Sequence, residues 1–255
     1  METSGIRFDV DKWKYFKKIV TGFVYCFLIT GCDSERDKQW NEWRAKTDRI
    51  SYRCGMFGPY EFKVDRKYLF FWPTYEGRSD WEVQGPPPIG CDAKLSSFNL
   101  EAYWPGLSPA GRFPIEVDPA AEHINIQVES VINRNRWDLA DRLKWKLHLK
   151  EDSKNNVGRY DDELGLFYLQ GVDSALSRLN VNYYWKLSAD GGVSIFIECG
   201  PIYNGKAKWC RQTQFLPKMR AVLDIYYDQT LLTKRTQLTH DVIEFINSSS
   251  TLKEN

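Results

Sequence analysis

The sequence predicts an α+β fold that is predominantly antiparallel β, arranged as a sheet or a sandwich, with one helix at the C-terminus. Three observations support this class. About ten short segments have the period-two alternation or the aromatic and β-branched content of strands, and turn signals separate them. The apolar period changes to that of a helix only near the end of the chain. Long crossover helices, which parallel strands need, are missing from the pattern.

The predicted strands follow one another along most of the chain. They lie at residues 60–64, 68–72, 100–104, 123–132, 143–150, 164–170, 181–188, 193–199, 206–215 and 220–227. Asp190-Gly191-Gly192 is typical of a tight turn between two of them. Residues 85–90 contain three prolines, which lack a donor and fix φ, so this stretch is expected to be a rigid loop. Residues 151–163 have no apolar face and are expected to be a surface loop.

The C-terminal helix is predicted from an apolar stripe with helical spacing. The stripe consists of Leu238, Val242, Ile243, Phe245 and Ile246. Thr239 is the predicted cap, and Asp241 would lie in the first turn, where a negative charge favours the helix dipole.

The first 31 residues are typical of an export signal. Five Lys and Arg side chains between Arg7 and Lys18 precede an apolar run, residues 19–30, that is too short to span a bilayer. The run ends in Leu28-Ile29-Thr30-Gly31-Cys32, which resembles the lipobox of bacterial lipoproteins. The resemblance implies that Cys32 receives a diacylglyceryl group, that the chain is cut before it, and that the new amino terminus is acylated. The alternative is an uncleaved amphipathic helix with a chance Gly-Cys pair.

This interpretation predicts three parts of the chain and a location. They are a lipoprotein signal peptide at residues 1–31, a polar tether at 32–49 that coils into a short helix from Ser34, and one β-rich domain at 50–255. A subdomain seam is expected near the prolines of residues 105–122. The protein would be lipid-anchored in the bacterial cell envelope and face the periplasm, with the choice of inner or outer membrane left open.

The charge balance excludes some partners. The chain has 35 Lys and Arg against 34 Asp and Glu, and the first 31 residues take five and three of these, which leaves 30 against 31. With no long basic run, we expect no nucleic-acid partner. Aromatic residues make up 15% of the chain, including ten Trp, a content that favours strands and recognition surfaces.

The cysteines fit an exported protein. Cys54, Cys91, Cys199 and Cys210 remain once Cys26 and Cys32 are set aside, and four cysteines allow two disulfides in three pairings. A hairpin between Cys199 and Cys210 would bring those two face to face, so we predict Cys199 with Cys210 and Cys54 with Cys91. The alternative is a zinc site, but the C-x2-C spacing and a neighbouring histidine are missing.

No catalytic motif is recognisable, so we expect a protein that is not an enzyme and needs no cofactor or metal. The sequence lacks G-x-S-x-G, H-E-x-x-H and G-x-x-x-x-G-K-[ST]. His123, His148 and His240 are interpreted as structural, and Asp161-Asp162-Glu163 lacks the calcium-loop spacing. Phe70-Phe71-Trp72 and Tyr183-Tyr184-Trp185 could stack on sugar rings, although core packing is the commoner role.

Two loops have the composition of recognition surfaces. Residues 75–81 carry Arg78 and Trp81, and residues 155–163 carry Arg159. Trp and Arg are enriched among residues that dominate binding energies, so these three are our candidate partner-binding residues. The competing interpretation is that they cap strand ends.

A lipobox, a β-rich domain with disulfides and the absence of a catalytic motif resemble the periplasmic immunity lipoproteins that accompany type VI secretion lipase effectors. The resemblance is carried by the run from Cys54 to Phe71 and by Tyr75-Glu76-Gly77-Arg78-Ser79-Asp80-Trp81. It implies a protein that neutralises a (phospho)lipase toxin by stoichiometric binding. The alternative is a cell-envelope binding lipoprotein, for glycan or for the assembly of an envelope machine.

Overall fold

The computed structural model describes residues 37–46, 50–77, 90–110, 121–131, 139–146, 158–173, 180–201 and 208–253. The chain divides into two compact units, and the described residues of the smaller one are 37–46 and Ile50. Residues 37–46 form helix α1, in which the rings of Trp40 and Trp43 meet edge to face with centroids 5.6 Å apart. A helix was predicted in this segment, while its predicted cap Ser34 lies outside the described residues.

The larger unit is mostly antiparallel β, with two α-helices in its described part, which confirms the predicted fold class. Its helices are α2, Leu139–Lys146, and α3, Arg235–Ser248, with 3-10 turns at Arg66–Tyr68 and Gln229–Lys234. Its strands are β1 Tyr52–Phe57, β2 Tyr60–Asp65, β3 Thr74–Tyr75, β4 Leu95–Trp104, β5 Ser108–Pro109, β6 Glu122–Ser130, β7 Arg159–Asp161, β8 Leu166–Asp173, β9 Asn180–Leu187, β10 Val193–Pro201, β11 Lys208–Leu216, β12 Ala221–Asp228 and β13 Ser250–Leu252.

The strands form two sheets. The small sheet has the order β1-β2-β13, and the ten-stranded sheet has the order β3-β4-β6-β12-β11-β10-β9-β8-β7, with β5 paired to β4. The backbone N–H of Met56 in β1 donates to Ala93 O at 2.8 Å, which ties the small sheet to the start of β4. Gly55 allows this approach, because a Cβ there would lie 2.6 Å from Leu95 Cγ.

One face of the large sheet, its inner face, packs against α3 and the small sheet. Alternate residues point to this face, as the period of a strand requires, so Phe98, Ile126 and Ile225 are fully buried. Leu238 and Val242 of α3 belong to the same core. The inner face thus holds the main hydrophobic core of the molecule.

The opposite, outer face is covered only in part by described residues. Leu139 and Leu143 of α2 pack on Tyr183, Trp185 and Phe196, which point outward from β9 and β10. Leu139 and Leu143 are four residues apart and therefore lie on one face of α2, which is the face that packs on the sheet. The outer sides of β4, β6, β12 and β11 are polar instead.

Two disulfides join the cysteine pairs that were predicted. Cys199 and Cys210 are direct partners across β10 and β11, with Cα atoms 4.1 Å apart, and Cys54 is joined to Cys91. The antiparallel pairing of β10 with β11 places the first pair, as predicted. The second disulfide ties β1 to the segment that leads into β4.

The structure corrects two predicted strands. Residues 68–72 are not a strand: a 3-10 turn at Arg66–Tyr68 is followed by a bend at residues 70–71. Residues 143–146 belong to α2 rather than to a strand, and residues 147–150 lie outside the described part. The first strand was predicted from a continuous apolar run and the second from period-two alternation. In the second case Leu139 and Leu143, four residues apart, are buried in one cluster, as on one face of a helix.

The start of the C-terminal helix also differs from the prediction. Helix α3 begins at Arg235, so Thr239 and Asp241 do not lie at its end. The Thr239 hydroxyl accepts from Gln212 Nε2 at 2.7 Å and donates to Arg235 O at 2.6 Å. Asp241 accepts from Trp104 Nε1 at 2.8 Å. Both side chains therefore join the helix to the sheet instead of capping it.

Candidate functional site

The outer sides of four neighbouring strands form a continuous polar surface. We call this surface the polar face. It is built from the outward residues of β4, β6, β12 and β11, which alternate with the core residues of the inner face. Its most informative side chains are Tyr103, His123, Gln127, Trp209, Arg211 and Tyr226, which are half-buried.

A buried charge pair supports the centre of the polar face. Asp224 is 1% exposed, and its two carboxylate oxygens accept from Arg211 and from the Thr213 hydroxyl, each at 2.5 Å. Burial lowers the pKa of Arg211, but the hydrogen bond and charge of Asp224 outweigh it and hold that pKa above its ordinary value. The guanidinium is therefore a fixed positive charge on the surface.

A second ion pair lies beside the polar face, between α2 and β10. Arg142 of α2 donates to Glu198 of β10 at 2.5 Å, and both side chains are less than a fifth exposed. Its other terminal nitrogen lies 3.5 Å from the Thr213 hydroxyl. Positive and negative side chains therefore alternate in the order Arg142, Glu198, Arg211 and Asp224, from α2 to β12.

Aromatic rings lie at one end of the polar face. The ring centroids of Tyr103 and His123 are 5.7 Å apart, and those of His123 and Trp209 are 6.5 Å apart. His123 Nε2 lies 3.6 Å from a carboxylate oxygen of Glu101. Nearby, burial raises the pKa of Tyr226, against the lowering effect of Arg211. Tyrosine, tryptophan and arginine on a rigid sheet are the side chains that interfaces favour.

A second exposed surface is the aromatic tip, which we define as Phe70, Phe71 and Trp72. The Arg53 guanidinium lies 4.8 Å from the centroid of the Trp72 ring, and that of Arg66 lies 5.8 Å from it. The rings of Phe70 and Phe71 are inclined by 63° to each other. They do not form the strip of parallel rings that stacking on a glycan chain would need.

The predicted site residues fall in different places. Cys32, Arg78, Trp81 and His148 lie outside the described residues. Arg159 is exposed on β7, a strand at the end of the large sheet, and pairs in register with Tyr168. Of the predicted structural histidines, His123 lies on the polar face and His240 within α3, 3.3 Å from Glu244.

The acidic and aromatic motifs have structural roles. Asp161 accepts from the backbone N–H of Leu164 at 2.9 Å and so closes the turn between β7 and β8. No group of three or more potential metal ligands occurs among the described residues. Tyr183, Tyr184 and Trp185 are all buried, so this run is core. Among the described helices, none is both long and apolar enough to cross a membrane.

Sequence reasoning missed the polar face. Glu198, Arg211 and Asp224 stand at alternate polar positions of three successive predicted strands. Arg142 directly precedes the strand that was predicted at residues 143–150. The sequence does show polar residues at alternating positions of these strands. This pattern indicates a shared surface only when the register is known, which places Glu198 opposite Arg211 and Thr213 opposite Asp224.

Comparison with known proteins identifies the fold. No family model matches the chain, and no curated protein matches it in sequence. Among solved structures, the chain is similar to an immunity protein of the Stenotrophomonas maltophilia type IV secretion system. The two share 15% sequence identity with a TM-score of 0.51, over 79% of this chain and 94% of that one. The chain therefore has an immunity-protein-like fold.

Proposed function

We propose that this chain is an immunity protein that neutralises a secreted antibacterial toxin by stoichiometric binding. The observation that carries the proposal is the fold, which corresponds to 94% of the chain of a secretion-system immunity protein. A disulfide-linked, extended sheet with a polar and aromatic face suits an inhibitor, since binding then costs little ordering of the scaffold.

The finer proposal concerns the toxin and the place of action. Following the sequence resemblance, the toxin is a (phospho)lipase that attacks membranes, and the inhibitor is attached to the envelope through Cys32 and faces the periplasm. Tethering raises the local concentration of the inhibitor at the surface that a lipase must reach. The two disulfides support an oxidising compartment.

The proposed interface is the polar face, together with Arg78 and Trp81 of the segment 75–81 and Arg159 of β7. A stable complex buries about 800 Å² on each partner, which a surface of four strands can supply. Arg211, fixed by Asp224, and the ring row of Tyr103, His123 and Trp209 would lie at its centre. The inhibitor needs no chemistry of its own, because occlusion of the toxin is sufficient.

Co-expression tests the function. An effector gene adjacent to this one is expressed with a periplasmic signal, with and without the full-length chain, and growth and lysis are measured. We expect protection by the chain and co-elution of the purified pair in a one-to-one ratio. A catalytically inactive effector serves as the toxicity control. If the chain neither protects nor binds, the immunity proposal fails and the envelope-binding alternative gains support.

A further inference from the structure

Three consecutive aromatic side chains are exposed at one turn. Phe70, Phe71 and Trp72 of the aromatic tip are 38%, 56% and 44% exposed. They make up three of the eight large hydrophobic residues that are exposed in the described part of the chain. A contiguous apolar patch of this kind marks a site of interaction more often than a scattered residue does.

The base of the aromatic tip is held rigidly. The backbone N–H of Phe70 donates to Asn99 O of β4 at 3.2 Å, and Leu69 forms a bridge with Leu100. The Tyr68 hydroxyl donates to Leu107 O at 2.9 Å. The three rings are therefore presented by a turn that is fixed to the large sheet, and their exposure is a property of the fold.

Three basic side chains, Arg53, Arg66 and Lys67, lie close to the aromatic tip in space or in sequence. Within residues 65–76 the charged residues are Arg66 and Lys67 and, at the two ends, the acids Asp65 and Glu76. The nearest acid in the chain before them, Asp65, is engaged in capping, because it accepts from the backbone N–H of Lys67 at 2.9 Å. Lys67 is exposed, and the guanidinium groups of Arg53 and Arg66 lie beside the Trp72 ring.

We propose that the aromatic tip inserts into the interface of an anionic lipid bilayer, with Arg66 and Lys67 at the level of the lipid phosphates. Trp and other aromatic side chains favour the boundary between headgroups and acyl chains, and basic side chains next to them are attracted by anionic lipids. The surface of one turn is small compared with the roughly 800 Å² that each partner buries in a stable protein complex. A bilayer does not require a surface of complementary shape, so a small aromatic turn can insert into it. The contact would hold the domain at the membrane independently of toxin binding.

Lipid quenching of Trp72 tests this proposal. The full-length chain is mixed with phosphatidylethanolamine and phosphatidylglycerol vesicles whose acyl chains carry bromine. The emission of Trp72 is obtained as the difference between the wild type and Trp72→Phe. Trp145→Phe is the matched control, since Trp145 is 60% exposed on α2. We expect a blue shift and strong quenching for Trp72 and neither for Trp145.

Two further variants separate the apolar and the charged contributions. Phe70→Ser with Phe71→Ser should abolish the quenching of Trp72, and Arg66→Gln with Lys67→Gln should remove its preference for anionic over phosphatidylcholine vesicles. Circular dichroism confirms that each variant is folded. The proposal is overturned if Trp72 stays unquenched in anionic vesicles, or if Trp145 is quenched equally. It is also overturned if the serine variant loses toxin binding while Trp72 of the wild type stays unquenched.

Discussion

At the scale of single residues, Asp224 has the most constrained environment on the polar face. Its carboxylate is buried and accepts hydrogen bonds from Arg211 and Thr213 at 2.5 Å. Because a buried carboxylate is stable only when it is paired, the pair fixes both the rotamer and the charge of Arg211. The surface charge at the centre of the proposed interface therefore depends on a residue that is itself buried.

Replacing Asp224→Asn should lower the free energy of unfolding by about 2–3 kcal/mol, because Arg211 loses its charged hydrogen-bond partner in a partly buried position and keeps only Glu198 as a neighbouring negative charge among the described residues. Urea unfolding of the oxidised protein measures the change. Asp162→Asn, in an exposed turn, is the control and should change stability by less than about 0.5 kcal/mol. Equal, small effects of the two substitutions would show that the pair contributes nothing.

Tyr227 gives a prediction on pH. Its hydroxyl donates to Gln212 Oε1 at 3.3 Å, and burial raises its pKa. Burial raises the pKa of Tyr68, Tyr183, Tyr184 and Tyr226 as well. In an unfolded chain a tyrosine titrates near pH 10. Above that pH the unfolded chain releases protons that the folded chain keeps, so stability is complete below about pH 10 and falls as the pH rises further.

Thermal unfolding followed between about pH 8 and about pH 11 should therefore show a declining midpoint at the alkaline end. Tyr227→Phe should make this decline less steep, since one of the responsible phenols is removed, at the cost of the hydrogen bond to Gln212. Tyr160→Phe, at a tyrosine that is 54% exposed, should leave the slope unchanged. A slope that is the same in all three proteins would rule out Tyr227 as a cause.

At the scale of elements, the two disulfides close loops of different length. The Cys54–Cys91 bond joins residues 37 apart in sequence, and the Cys199–Cys210 bond joins residues 11 apart. In the loop-entropy description the longer closure restricts the unfolded chain more. The hairpin disulfide lies within a ladder that already holds β10 and β11 together, whereas Cys54–Cys91 ties down β1.

We expect removal of the longer disulfide, by Cys54→Ala with Cys91→Ala, to cost about 4 kcal/mol, and removal of the shorter one, by Cys199→Ala with Cys210→Ala, to cost about 3 kcal/mol. Chemical unfolding of both double variants beside the wild type measures the difference. Peptide mapping without reduction should first show both bonds in the starting material. A larger loss for the hairpin variant would contradict the loop-length argument.

Most strands could be predicted because they lie at the surface of one core and show a clean alternation. In β6, Ile124, Ile126 and Val128 are buried and their neighbours are not. The alternation fixes the inner face, and with it the fold class. The alternation does not predict which strands are neighbours. The pairing of β6 with β12, nearly a hundred residues later, therefore could not be predicted from the local sequence.

The two incorrect strand predictions share one physical cause. The run Tyr68-Leu69-Phe70-Phe71-Trp72 is as apolar as a buried strand, but its rings are exposed, so its hydrophobicity does not report burial. In α2, Leu143 and Trp145 alternate as in a strand, yet only Leu143 is buried, together with Leu139 one turn before it. Local composition does not reveal which apolar side chains the fold buries and which it leaves exposed.

At the scale of the whole molecule, the large sheet separates two tasks. Its inner face holds the core and α3, and the outer sides of β4, β6, β12 and β11 are left to polar and aromatic residues. Because the inner face supplies the hydrophobic core, exposed residues on the outer face can be replaced with little effect on the stability of the fold. This division suits an inhibitor that must match one particular toxin, and the proposed interface can be tested on it.

Tyr103→Ala and Trp209→Ala should each weaken the affinity for the toxin by about tenfold or more, as truncation of aromatic anchors at the centre of an interface does. Calorimetric titration of the purified pair measures the dissociation constants. Lys186→Ala, at an exposed position of β9, is the control. If the tyrosine and tryptophan variants bind like the wild type while Arg159→Ala does not, the interface lies at β7 instead, and the immunity function still stands.

The predicted membrane anchor also concerns the whole molecule. The apolar run before Cys32 predicts that the chain is lipidated there and cut before that residue. In cells, Cys32→Ala should accumulate an unlipidated precursor that migrates more slowly than the mature protein, and globomycin should have the same effect on the wild type. Metabolic labelling with palmitate and immunoblotting measure both results. Cys26→Ala, inside the apolar run, is the control and should mature normally. A wild-type protein that is released into the periplasm without a lipid would exclude the anchor, and the toxin would then have to be met in solution.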